Sequence, residues 1–140
     1  MIRVFLDANL LFSASNDGSH IARLVHLLIE QGEVITSDFA TEEAHRNVRL
    51  KRPTWAKNLD TLISQVEVVQ SIHFDLPVEL SDKDQPILCT AIRCGCQYLA
   101  TGDRKDFGHL YDHMVEGVTI ITLGKLTKIL VQTRRNEGGS

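Results

Sequence analysis

Four acidic side chains stand where the hydrophobic pattern predicts the end of a strand or the start of a helix. Asp7 and Asp103 follow short apolar runs, and Glu43 and Asp84 fall in the first turns of predicted helices. In an open parallel sheet, a helix begins at the edge where the preceding strand ends, and ligands bind at that edge where the strand order reverses. If the first and fourth strands are neighbours at that point, the four carboxylates can meet in one crevice.

Packed carboxylates need a partner that neutralises them. Two like charges about 4 Å apart repel by about 4 kcal/mol at an effective dielectric constant near 20. Mg²⁺ and Mn²⁺ prefer such all-oxygen sites, and no HExxH motif, Cys/His quartet or Walker loop indicates another cofactor. These ions activate water and stabilise the leaving oxygen of a phosphodiester. The acids thus favour Mg²⁺- or Mn²⁺-dependent phosphate chemistry.

Each acid also has a purely structural interpretation. Asp84 lies three residues after Ser81, which is the spacing of a capping box. Glu43 suits the positive end of a helix, and Asp103 suits a turn. Asp7 is harder to explain in this way, because an acid directly after a buried strand is costly to desolvate. The shared sheet edge favours the functional interpretation of the set.

Short β-type runs alternate with helical patterns along the chain. The predicted strands are Ile2–Leu6, Glu33–Thr36, Val66–Val69, Tyr98–Ala100 and Val118–Thr122. The predicted helices are one between a cap at Ser19 and Gly32, then Phe39–Lys51, Trp55–Ser64, Asp82–Cys94 and Leu123–Gln132. Strands separated by helices indicate a parallel sheet covered on both faces. The predicted fold class is α/β, a doubly wound three-layer sandwich.

The length of 140 residues fits a single domain, which we place at residues 1–134, with a polar tail at 135–140 that is expected to fray. Hydrophobic residues make up 43% and charged residues 24%, which excludes a disordered chain. No apolar run approaches the roughly 20 residues of a membrane span. An acid at position 7 is too early for a signal peptide. We therefore expect a cytoplasmic protein with no membrane association.

The formal net charge of −3 excludes a nucleic-acid-binding protein of the strongly basic kind. A basic segment nevertheless includes Arg46 and Arg49, which can contact an RNA backbone or simply form a solvated helix face. Near the acids, Asn9 can orient Asp7 or make an Asx-turn. Thr101 can hydrogen-bond a metal ligand or a phosphate, or simply end its strand.

Four segments of the chain resemble the motifs of PIN-domain nucleases, the family that includes the VapC-type toxins of bacterial toxin–antitoxin pairs. They are residues 5–11 (FLDANLL), 37–43 (SDFATEE), 82–88 (DKDQPIL) and 99–107 (LATGDRKDF). The resemblance covers about residues 2–130, and the order and spacing of the segments agree with the family. By its register, the family's acids fall on Asp7, Glu43, Asp84 and Asp103.

The resemblance implies a fold, a site and a function. The fold is a five-stranded parallel sheet in the order 3-2-1-4-5. The catalytic acids are Asp7, Glu43, Asp84 and Asp103, the metal ligands are Asp7, Asp84 and Asp103, and the accessory residues are Asn9, Thr101 and Asp106. The implied activity is that of an endoribonuclease dependent on Mg²⁺ or Mn²⁺, the toxin of a pair. Its implied partners are RNA, a cognate antitoxin and a second copy of the chain.

Other functions stay open at this stage. A catalytically silent RNA- or protein-binding module can share the same fold. A haloacid dehalogenase-type phosphatase also opens with a strand that ends in an acid, but that family needs Asp where this chain has Asn9. A receiver-like phosphoacceptor domain requires a late Lys after a strand, and Lys125 is a weak match.

Overall fold

The computed structural model describes residues 1–138. Its strands are β1 (Arg3–Leu6), β2 (Glu33–Ser37), β3 (Glu67–Val69), β4 (Tyr98–Ala100), β5 (Met114–Val115) and β6 (Val118–Ile121). Its helices are α1 (Ala8–Ala14), α2 (His20–Gln31), α3 (Asp38–Lys51), α4 (Ala56–Ser64), α5 (Gln85–Arg93), α6 (Arg104–Phe107) and α7 (Leu123–Gly138). These elements form a central sheet with helices on both faces, which confirms the predicted α/β class.

The central strands are apolar because both faces of the sheet are covered. In β1, Val4, Phe5 and Leu6 are fully buried, and β1 pairs in parallel with β2 on one side and β4 on the other. Near-continuous hydrophobic runs of this kind are typical of parallel strands between two helical layers. The strand order places the carboxyl ends of β1 and β4 side by side, as the PIN-domain resemblance implies.

The predicted count of five strands is wrong by one short edge strand. In the described residues the sheet has six strands in the order β3-β2-β1-β4-β6-β5, and β5 pairs antiparallel with β6. Glu116 and Gly117, both with positive φ, form a two-residue turn between Val115 and Val118. A two-residue turn with positive φ at both positions suits a β-hairpin, and here it adds β5 to the predicted fifth strand, which is β6.

Several predicted helix bounds differ from the structure. The hydrophobic pattern does not predict α1, because its seven residues are too few for a clear periodicity. The helix expected from Asp82 begins at Gln85, so Asp84 occupies the position before the first helical residue. The helix expected from Trp55 is α4, preceded by a 3₁₀ turn over Pro53–Trp55.

The last helix runs to Gly138, beyond the predicted end at Gln132. Part of the predicted tail 135–140 is therefore helical, since Arg is a good helix former and basic side chains are favourable in the last turn of a helix. Residues 139 and 140 of that tail lie outside the described residues. Within residues 1–138, no helix combines the length and apolar character needed to cross a membrane.

Candidate active site

The carboxyl ends of β1 and β4 bring the sequence-predicted acids together. Leu6 pairs with Ala100 at the ends of these strands, and the Asp7 backbone N–H donates to the Ala100 carbonyl at 3.1 Å. Just beyond this point lies a cavity of about 290 Å³, which we call the acidic crevice. It is lined by Asp7, Asn9, Glu43, Asn47, Lys83, Asp84 and Asp103. All four predicted acids therefore face one space.

Asp7 lies at the buried end of the crevice, where only 3% of it is exposed. Its Oδ1 accepts the backbone N–H of Ala8 at 2.7 Å, and its Oδ2 accepts the hydroxyl of Thr101 at 2.8 Å. Burial, with smaller contributions from the nearby Glu43 and Asp103 carboxylates, raises the pKa of Asp7 from 3.8 to about 6 against the lowering effect of these bonds. Asp7 is thus an acid held in place with little solvent to stabilise its charge.

Asn9 and Thr101 connect the first and fourth motifs through hydrogen bonds. The Asn9 amide donates to Thr101 Oγ1 at 3.3 Å, and its carbonyl oxygen accepts the Gly102 N–H at 3.1 Å. Thr101 Oγ1 also accepts the Asp103 backbone N–H at 3.1 Å. Asn9 and Thr101 therefore lie within the site and fix Asp7 relative to the loop that carries Asp103.

Two acids of the crevice, Asp84 and Asp103, form a close carboxylate group with Asp106, which lines the neighbouring cavity beside Ser81 and Lys105. One oxygen from each lies within 4.8 Å of the others. Asp103 caps α6 by accepting the Asp106 N–H at 3.0 Å, and this one-turn helix brings Asp106 beside it. The predicted metal set of Asp7, Asp84 and Asp103 stays a prediction. Two of its members lie in this close group with Asp106, which the resemblance implies as an accessory residue, while Asp7 accepts hydrogen bonds from Ala8 and Thr101.

The burial of Asp84 makes its negative charge costly. Only 4% of the residue is exposed, and this burial raises its pKa from 3.8 to about 7. The adjacent Asp106 and Asp7 carboxylates add to the rise, whereas a hydroxyl hydrogen bond from Ser81 opposes it. Three oxygen-donor side chains this close, without Cys or His, fit a hard divalent cation such as Mg²⁺ or Mn²⁺.

Glu43 reaches the crevice from α3 and forms an ion pair with Lys83. The Lys83 ammonium lies 3.4 Å from Glu43 Oε1, and the Glu43 carboxylate is the largest of several acidic influences that raise the pKa of Lys83. Neither Lys83 nor Asn47 is among the predicted site residues, although Asn47 follows Glu43 by four residues and so shares its helix face. The spacing of Asn47 was a usable signal.

Three other side chains lie outside this constellation. Arg46 and Arg49 are exposed on α3 and do not line the acidic crevice, so their predicted contact with RNA stays a prediction. Asp82, the other acid in the segment 82–88 that resembles a family motif, is exposed and likewise does not line the crevice. The geometry therefore favours Asp84 over Asp82.

Comparison with known proteins finds relatives through structure and not through sequence. No protein-family model matches the sequence, and the comparison with curated proteins finds no match. Among solved structures, VapBC2 from Rickettsia felis bound to a DNA fragment from their promoter has a TM-score of 0.63 at 16% identity, over 86% of this chain and 98% of that one.

Two further structures extend the same likeness. PAE2754 from Pyrobaculum aerophilum gives a TM-score of 0.64 at 19% identity, over 94% of this chain and 96% of that one. Mycobacterium tuberculosis VapC20, a sarcin-ricin loop cleaving toxin, gives a TM-score of 0.53 at 14% identity, over 73% of this chain and 91% of that one. The chain has the PIN-domain fold. The fold expected from the PIN-domain resemblance is thereby confirmed.

Proposed function

We propose that this PIN-domain chain is an endoribonuclease that depends on Mg²⁺ or Mn²⁺ and hydrolyses RNA phosphodiesters. The observation that carries the proposal is the convergence of Asp7, Glu43, Asp84 and Asp103 on one cavity at the carboxyl edge of the sheet. The fold neighbour VapC20, a sarcin-ricin loop cleaving toxin, supports RNA as the substrate class.

In this proposal the acidic side chains bind the metal, and hydrogen bonds from neighbouring residues fix their positions. Asp84, Asp103 and Asp106 are the ligands favoured by distance, with Asp7 facing the same cavity. When bound, a divalent cation activates water and stabilises the leaving oxygen of a phosphodiester. Thr101 and Asn9 fix the orientation of Asp7. Glu43 supplies a further carboxylate from α3.

The RNA-binding surface is proposed to extend from the acidic crevice along α3. Arg46 and Arg49 are exposed and follow Glu43 by three and six residues on the same helix. Guanidinium groups at such positions suit phosphate oxygens, which fix the register of a nucleic acid without specifying its sequence.

The chain is further proposed to act as the toxin of a toxin–antitoxin pair in the cytoplasm. The PIN-domain resemblance to VapC-type toxins and the fold neighbour VapBC2 support a cognate antitoxin, and the resemblance supports a homodimer. All three cysteines are free, which suits a reducing compartment. Co-purification with the product of a neighbouring short gene, followed by light scattering of the isolated chain, tests both partners.

RNA cleavage by the purified protein tests the activity. With Mg²⁺ or Mn²⁺ the wild type should cleave RNA, and EDTA should stop cleavage. Asp7→Asn should lower the rate at least about 100-fold, because it removes a charge from the metal-facing wall of the crevice. Asp82→Asn is the matched control, since Asp82 is an exposed acid outside the crevice and its loss should leave the rate unchanged.

Three outcomes would contradict the proposal, each in a different way. Equal rates for the wild type and Asp7→Asn would indicate a contaminating nuclease. RNA binding without metal-dependent cleavage would favour the silent module. Hydrolysis of a small phosphomonoester in place of RNA would favour a phosphatase. Unchanged circular dichroism spectra of the variants are required for each comparison.

A further inference from the structure

Lys83 supplies the acidic crevice with positive charge from the chain itself. Among the residues that line this cavity in the described part of the chain, Lys83 is the cationic one, facing Asp7, Glu43, Asp84 and Asp103. Its ammonium reaches across 40 positions of sequence, from the turn before α5 to Glu43 on α3. An ammonium group is a compact point charge on a flexible stem, so it can neutralise a carboxylate much as a small metal cation does.

The carboxylates in and beside the crevice fall into two groups that differ in their ion-pair partners. Asp84, Asp103 and Asp106 bring their oxygens within 4.8 Å of one another, and none of them forms an ion pair with a Lys, Arg or His among the ion pairs of the described residues. Glu43 instead lies 3.4 Å from the Lys83 ammonium. The Lys83 ammonium thus contacts Glu43, whereas it influences Asp84 and Asp103 without forming an ion pair with either.

We propose that Lys83 is a positioning residue that restricts the crevice to a single divalent cation, by holding Glu43 in an ion pair and keeping it from serving a second ion. The inference rests on the proposed metal-dependent function. Two-metal sites place their ions about 3.5–4 Å apart and depend on carboxylates that face both. In this chain the Lys83 ammonium lies 3.4 Å from Glu43 Oε1, so a second cation that bound this carboxylate would have to displace an ammonium of like charge.

Counting the Mn²⁺ ions bound to the metal-free protein tests this inference without measuring activity. Isothermal titration calorimetry, with electron paramagnetic resonance of the unbound Mn²⁺, should give one ion per chain for the wild type. Lys83→Met keeps much of the aliphatic stem and removes the charge, and it should raise the count to two. Lys83→Arg keeps the charge and should retain one.

Two further variants separate a local effect from a general change in charge. Lys125→Met is the matched control, because Lys125 also pairs with an acid, Asp112 at 2.9 Å, and its side chain is 55% exposed against 56% for Lys83. It should leave the count at one. Adding Glu43→Gln to Lys83→Met should return the count from two to one, since the second ion would have lost its carboxylate.

The outcomes that overturn the inference differ from those that overturn the proposed function. A wild type that cleaves RNA and binds two Mn²⁺ ions contradicts only the role of Lys83. A Lys83→Met variant that still binds one ion contradicts it as well. A wild type that binds no Mn²⁺ and cleaves no RNA overturns both the role of Lys83 and the metal-dependent function.

Discussion

The acidic side chains at the two edges of the parallel sheet differ in ion pairing and in exposure to solvent. At the amino edge, the Arg3 guanidinium lies 2.7 Å from Glu33 and 3.8 Å from Glu67, and its Nε donates to the Cys94 carbonyl at 2.8 Å. The side chains of Glu33 and Glu67 are 51% and 58% exposed, so water also stabilises their charges. Each acid at this edge thus has a cation from the chain and access to solvent.

At the carboxyl edge, acids are buried in greater number than the chain's own cations can neutralise. Asp7 and Asp84 are 3% and 4% exposed, and burial raises the pKa of each. Such an arrangement lowers the stability of the native state, because buried like charges repel one another and lose their contact with water. An acid that is paired and solvated stabilises the fold, whereas a group of buried acids with few cations indicates a site for a ligand. The contrast predicts different responses of the two edges to pH, metal and salt.

The largest expected difference is in the pH dependence of stability. For Asp7 the pKa rises from 3.8 to about 6 on folding, and for Asp84 from 3.8 to about 7. An acid whose pKa is raised on folding stabilises the native state at low pH, and this contribution disappears as pH rises through the folded value. The metal-free protein should therefore lose stability between about pH 4 and pH 7. At about 1.4 kcal/mol per pH unit, the loss from Asp7 is of order 3 kcal/mol.

Urea unfolding at several pH values measures this loss. The difference in free energy of unfolding between the wild type and Asp7→Asn isolates the carboxylate from other titrating groups, and it should grow in favour of the variant as pH rises. Asp82→Asn, which changes an exposed acid outside the crevice, should follow the wild type across the range. A wild type that gains stability relative to Asp7→Asn between pH 4 and pH 7 would contradict the assignment of Asp7.

Divalent metal should restore the stability that the protein loses when the acids at the carboxyl edge ionise. At a hundredfold excess over the dissociation constant, Mg²⁺ or Mn²⁺ should add about 2.7 kcal/mol to the free energy of unfolding near pH 7. Asp84→Asn should stabilise the metal-free protein and shrink this gain, because it removes both a buried charge and a ligand. Asp82→Asn should do neither, since Asp82 lies outside the crevice. The measurement is thermal or urea unfolding with and without metal.

This pair of variants also tests the register of the third motif. If Asp82→Asn erases the metal-induced gain and Asp84→Asn retains it, the register assigned to residues 82–88 is wrong by two residues. If the wild type shows no gain with either ion, the acidic crevice does not bind divalent metal, and the nuclease proposal fails with it.

The sequence predicted the parts of the site that depend on strand ends. Apolar runs mark β1 and β4, and parallel strands end at a common edge, so Asp7 and Asp103 could be assigned to one edge of the sheet. That β1 and β4 are neighbours was implied by the PIN-domain resemblance and not by the hydrophobic pattern. Thr101 and Asn9 adjoin those acids in the chain, so their location followed from the same strands. The α/β class followed from the alternation of patterns, which does not depend on exact bounds.

Other parts of the site depend on short or irregular segments that carry no periodic signal. The closeness of Asp106 to Asp84 results from a four-residue helix, and the reach of Lys83 from a turn that the sequence reading had assigned to a helix. β5 has two residues and forms because Glu116 and Gly117 adopt positive φ. The ion pair between Lys83 and Glu43 joins residues 40 positions apart, which hydrophobic patterning does not encode.

The smallest effect is expected at the amino edge, where Glu33→Gln removes a charge but leaves an oxygen able to accept from Arg3. Ion pairs between exposed side chains contribute at most about 1 kcal/mol, because water screens the attraction and ordering the side chains opposes it. Urea unfolding of this variant should therefore show a loss below about 1 kcal/mol that shrinks further as salt shortens the Debye length.

Neither the slope of stability between pH 4 and pH 7 nor the gain from Mn²⁺ should change in Glu33→Gln, because Glu33 is 51% exposed and lies at the opposite end of the sheet from the crevice. A loss well above 1 kcal/mol that resists salt would show that Arg3 and Glu33 act as a buried pair. The contrast between the edges would then lie in the number of cations alone and not in solvation. A reduced Mn²⁺-induced gain would contradict the contrast more directly, since it would couple an acid of the amino edge to the metal site at the carboxyl edge.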